Sequence, residues 1–107
     1  MQVFMDGRRV DGSESGDFDM LDRAGEWLAR LQAHEVVWGY RGRLIGGPGD
    51  VVVTTVWGAT DKALILRHDR AGAYRLAILR GTEDITVAWV PEHLVGPQPR
   101  TDGRVRI

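Results

Sequence analysis

Cysteine is absent from the 107 residues, which rules out disulfides, thiolate nucleophiles, cysteine-ligated zinc and iron–sulfur clusters. Lysine is nearly absent too, since Lys62 is the single lysine among 14 basic residues. No apolar run approaches the ~18 residues that a membrane-spanning helix needs. The opening run Met1 to Asp6 has neither a basic n-region nor an apolar h-region, so a cytoplasmic protein without membrane partners is expected. No glycine-rich segment carries the Lys-Ser/Thr of a P-loop, and Gly46-Gly47-Pro48-Gly49 therefore reads as a turn.

What is present is the ordinary balance of a globular chain, with 43% hydrophobic and 27% charged residues. The length suits one domain with one core. Net charge is −1, but it is unevenly placed. Residues 1–35 carry eight acids and four bases, and residues 36–107 carry seven acids and ten bases. Such a division fits two solvated surfaces that balance each other, or else a molecule with distinct acidic and basic faces.

Periodicity divides the chain into a helical part and a strand part. Asp6-Gly7 between Val3-Phe4-Met5 and Arg9-Val10 signals a small hairpin, and the segment 11–16 reads as a loop. Asp11-Gly12-Ser13-Glu14-Ser15-Gly16 resembles the short Asp-x-Ser-x-x-Gly element of PilZ domains, but the Arg-x-x-x-Arg arm those carry upstream is missing. From Asp17, apolar residues recur at steps of three and four: Phe18, Leu21, Ala24, Leu28 and Leu31, widened by Met20 and Trp27. An amphipathic helix over about 18–34 is expected. Gly25 inside it implies a close neighbour.

Beyond the helix the period falls to two and β-branched residues dominate. Strands are expected near 35–40, 51–57, 62–68, 74–80 and 85–90, with a tail of low order over 96–107. Their short links mean hairpins. The fold class is therefore α+β, one domain over 1–107, with the N-terminal helix on a five- to six-stranded antiparallel meander. A type I turn with Gly72 left-handed would set Arg67 opposite Tyr74. Ala63, Ile65, Tyr74, Leu76 and Ile78 then share one face, and Leu64, Leu66, Ala77 and Leu79 share the other. Both faces are apolar, so both need cover, either by curling of the sheet into a small barrel or by a second copy.

The run Thr86-Val87-Ala88-Trp89-Val90-Pro91-Glu92-His93-Leu94-Val95 resembles the end of SH3-like small barrels, where a short turn follows the proline. The resemblance covers about ten residues and implies barrel geometry. Their adjacent tryptophan pair and aromatic-rich opening segment are missing.

The chemistry-bearing residues do not assemble into a catalytic set. His34, His68 and His93 are too far apart in sequence for a zinc motif, and no serine sits in a nucleophile-elbow context. Neither a metal nor any other cofactor is expected. Trp27, Trp38, Trp57 and Trp89 fall one to an element. Trp38 and Tyr40, flanked by Arg41 and Arg43, combine the residue types of protein-binding hot spots. Arg67, Arg70, Arg75 and Arg80 cluster on one hairpin, with Arg67 and Arg80 expected on one face and Arg75 on the reverse. These eight are the expected partner-binding residues. The expected function is a small non-enzymatic protein of inhibitor or immunity type, from a bacterium or phage, that docks to another protein. Two alternatives are a nucleic-acid-binding small barrel and a small enzyme or ligand-binding domain with a pocket between helix and sheet.

Overall fold

The computed structural model describes residues 1–33 and 47–95. The strand expected at 35–40, His34 as the expected end of the helix, and the tail expected at 96–107 lie outside them, as do Trp38, Tyr40, Arg41 and Arg43. In chain order the elements are β1 (Val3–Met5), β2 (Arg8–Val10), α1 (Asp17–Ala33), β3 (Val51–Thr54), β4 (Asp61–His68), β5 (Ala73–Arg80) and β6 (Asp84–Pro91), then a single 3₁₀ turn at Glu92–Leu94. They form one helix packed on a six-stranded sheet, an α+β arrangement ordered β2-β1-β6-β5-β4-β3.

Two expectations about the sheet need correction. It is mixed rather than antiparallel, because β1 lies parallel to β6, with Val3 beside Ile85 and Met5 beside Val87. The long chain between β1 and β6 permits this where a short hairpin link would not. Nor is the sheet closed into a barrel. The opening hairpin adds β1 and β2 beyond β6, which leaves β2 and β3 at opposite edges. An isolated bridge, Thr54 to Val95, ties β3 to the segment that follows β6.

Both faces of the central hairpin are nonetheless buried. Ala63, Ile65, Tyr74, Leu76 and Ile78 pack with Val52, Val90 and Val95, and Val56 and Leu94 lean on them. Across the sheet, Leu64, Ala77, Ile85 and Val87 pack under Leu31, Trp27 and Leu28 of the helix. The 3₁₀ turn after Pro91 brings Leu94 and Val95 across the face that the helix does not reach. There the Thr54 hydroxyl donates to the Leu94 carbonyl at 2.8 Å, and the Thr55 amide donates to the same oxygen at 3.1 Å.

The helix begins at Asp17, whose carboxylate is buried and fully used. It accepts from the Arg8 guanidinium at 2.9 Å and 3.4 Å and from the Gly12 and Glu14 amides at 3.3 Å each. That set ties β2, the loop and the helix start together. At the other end Lys62 donates to the Leu31 carbonyl at 2.7 Å, setting a cation against the last described turn of the helix. Two details of the helix differ from expectation. Phe18 is 73% exposed, its ring lying against Gly12 rather than in the core. Gly25 is exposed, with nothing within 4 Å of where a Cβ would stand.

Candidate functional site

The hairpin β4–β5 departs from a regular ladder at one residue. Gly72 adopts φ +87 as the turn requires, and Asp69 accepts from the Ala71 and Ala73 amides at 2.8 Å and 3.2 Å. From Ala63 to Ile65 the expected register holds, with Ile65 opposite Leu76. Between Ile65 and Arg67 the ladder shifts by one, so Arg67 faces Arg75 and His68 faces Tyr74. Leu66 is the extra residue of a β-bulge. It still packs with the helix-side cluster, so Leu66 and Arg67 both turn toward that side.

The shift corrects the expected arginine faces. Arg67 does not share a face with Arg80; it shares one with Arg75. Trp89 stands opposite Arg75 on β6, so Arg67, Arg75 and Trp89 form a row across three adjacent strands. The guanidinium carbons lie 5.2 Å and 5.5 Å from the indole centroid, within cation–π range. Trp89 is 40% exposed. Arg75 is further clamped by Asp6, which accepts from both terminal nitrogens at 2.6 Å and 2.8 Å. This bidentate hydrogen bond holds the Asp6 carboxyl below the usual carboxylate range. Asp6 itself occupies the left-handed region at φ 52 in the β1–β2 turn, and its amide donates to the Val87 carbonyl at 3.0 Å.

Beside the row runs an open groove of about 490 Å³ between α1 and the sheet. Met5, Met20, Trp27, Leu66 and Val87 line its apolar part, with Arg23, Glu26 and Arg75 around them. A smaller groove of about 290 Å³ shares Glu26, Trp27 and Leu66 and continues to Arg30, Pro48 and Gly49.

The other expected residues go elsewhere. Arg70 is exposed in the β4–β5 turn. Arg80 lies over Trp57 at 3.9 Å from the ring centroid and 3.9 Å from Asp61, away from the Trp89 row. His68 stacks on Tyr74 with ring centroids 4.1 Å apart and planes within 9°. Burial and the charge of Glu92 raise the Tyr74 phenol. Among the described residues no three His, Asp or Glu side chains are placed to hold a metal ion, and no helix is long and apolar enough to cross a membrane.

Sequence reasoning passed over Trp89 and Asp6. Trp89 carries a strand-parity signal, since Ile85, Val87 and Trp89 point the same way, but only the bulge brings two arginines to it. Asp6 pairs with Arg75 across 69 positions of sequence, and no local pattern announces that. The arrangement offers an apolar groove, an exposed indole and an exposed cation in one line. No protein-family model, curated protein or solved structure matches the chain.

Proposed function

We propose that this chain is a small non-enzymatic binding protein, cytoplasmic and of inhibitor or immunity type, that docks a protein partner through the helix-side end of its sheet. The observation that carries the reading is Trp89. A large aromatic ring 40% exposed on a strand, within cation–π range of two arginines and beside an apolar groove, combines the residue types that dominate protein interfaces. Strand and bulge hold these groups before binding, which lowers the ordering cost of association. A bacterial or phage setting is part of the same proposal.

Charge favours a protein over a nucleic acid. Binding along a phosphate backbone draws on several unneutralised cations. Here Arg75 is paired with Asp6, Arg23 with Asp19, and Glu26 lines the groove. Such a surface is close to balanced and suits one or two directed polar contacts around an apolar centre.

Affinity capture from the native host with wild-type chain and with Trp89→Ala tests the reading. A stoichiometric protein retained by the wild type, insensitive to nuclease, and weakened by about thirtyfold in Kd with Trp89→Ala is the expected result, a hot-spot loss of about 2 kcal/mol. Equal binding by the two proteins would place the interface elsewhere.

A further inference from the structure

We infer that the surface around Trp89 selects an acidic segment of its partner, in which an Asp or Glu accompanies an aliphatic or aromatic side chain. The inference rests on the protein-docking reading above and gives the partner's chemistry.

The two arginines of the row are not equivalent. Arg75 has a side chain 17% exposed and spends its planar fork on Asp6. With both terminal nitrogens on Asp6 it has little left for a ligand. Arg67 is exposed, and among the described residues no carboxylate pairs with it. Its guanidinium carbon lies over the ring of Trp89, 5.2 Å from the centroid. A cation–π contact uses the charge of a guanidinium without consuming its N–H donors. The donors of Arg67, which is exposed, stay open to a carboxylate.

The bulge then determines what accompanies that carboxylate. Leu66 and Arg67 are consecutive and lean to the same side, so the apolar groove that Leu66 lines begins beside the open cation. A ligand using both needs its carboxylate and its apolar group within about 7 Å, the reach of two residues of extended chain. Met5 and Met20 in the lining adapt their shape to different apolar side chains. A phosphate chain fits less well. It would engage Arg67, with Arg30 further along the adjoining groove, and meet the exposed carboxylate of Asp6 and that of Glu26 on the same surface.

Peptide display on the full chain tests this. A random library is selected on the wild type, and the recovered peptides are measured against Arg67→Glu, Arg67→Lys and Trp89→Ala, each first shown by circular dichroism to be folded. The expected peptides carry Asp or Glu within two positions of Leu, Ile, Met or Phe. Arg67→Glu should weaken them at least tenfold, the size of one lost charge-assisted hydrogen bond, and Arg67→Lys should weaken them less. Peptides without acidic enrichment, or peptides indifferent to Arg67→Glu, overturn the inference, while sensitivity to Trp89→Ala would leave the docking reading standing. Recovery of no peptide at all also overturns it. Salt-sensitive binding of a single-stranded DNA oligonucleotide that is lost in Trp89→Ala would overturn both.

Discussion

A Leu76→Ala substitution tests whether the face away from the helix is a core in its own right. Leu76 lies at the centre of β5, opposite Ile65 on β4 and Ala88 on β6, with no accessible surface. Truncating a buried leucine costs about 2–5 kcal/mol, rising with the cavity that remains. The upper half of that range applies here, because paired strands flank the site on both sides and cannot readily collapse into the space. A domain of this size has about 5–15 kcal/mol in total, so the loss is a large share. Urea unfolding followed by tryptophan fluorescence should show an unchanged slope and a midpoint lower by about 2 M, using a slope of about 1–3 kcal/mol per M. Leu31→Ala, on the helix side and equally inaccessible, serves as the comparison and should cost a similar amount. If Leu76→Ala costs under about 1 kcal/mol while Leu31→Ala costs over 3, the second face is not a packed core, and the reasoning from two apolar faces fails.

Other consequences follow from single contacts. Asp17 is held below the ordinary carboxylate range, first by the hydrogen bond from Arg8 and then by the Glu14 and Gly12 amides, and Asp6 is lowered by Arg75. Both groups bind fewer protons folded than unfolded, so their stabilisation is present above the unfolded value of about 4 and lost as pH falls through the folded one. Urea midpoints measured from pH 6 to pH 2.5 should fall most steeply below about pH 4, and Asp17→Asn should flatten that slope; an equal slope in the variant refutes the assignment. Thr54→Val removes the hydroxyl donor to Leu94, and because the Thr55 amide still serves that carbonyl the cost should stay near 1 kcal/mol in thermal unfolding. Lys62→Met keeps the stem and removes the cation on the Leu31 carbonyl, so hydrogen exchange should quicken in the last helical turn while the strands remain protected.

The helix and the central strands were legible because each rests on a repeating local pattern. Ala24, Leu28 and Leu31 mark the buried stripe of α1, and the alternation through Ala63–Ile65 and Leu76–Ile78 marks both faces of the hairpin. Phe18 obeyed the stripe but is the second residue of α1, where its ring lies beside Gly12 and stays 73% exposed. Val56 and Trp57 continued the strand pattern, yet Gly58 at φ +85 turns the chain and its amide closes on the Thr55 carbonyl at 2.9 Å. The parallel β1–β6 pair had no local signature, since it joins residues some 82 positions apart.

The candidate site illustrates why a sheet surface is harder to read than its core. Core residues on β4 keep their side whether or not the ladder slips, because Leu64 and Leu66 can both reach the helix while the strand bends between them. A polar residue after the bulge has no such constraint, and its side follows entirely from the count of residues between turn and core. One extra residue moves Arg67 from the face it would share with Tyr74 to the face it shares with Arg75 and Trp89. A scattered pair of arginines becomes a row with an indole at its end, next to an apolar groove. The bulge therefore links the fold to the candidate site: it costs one ladder position at the end of β4 and sets an exposed cation, an exposed ring and Leu66 on the same side of the sheet.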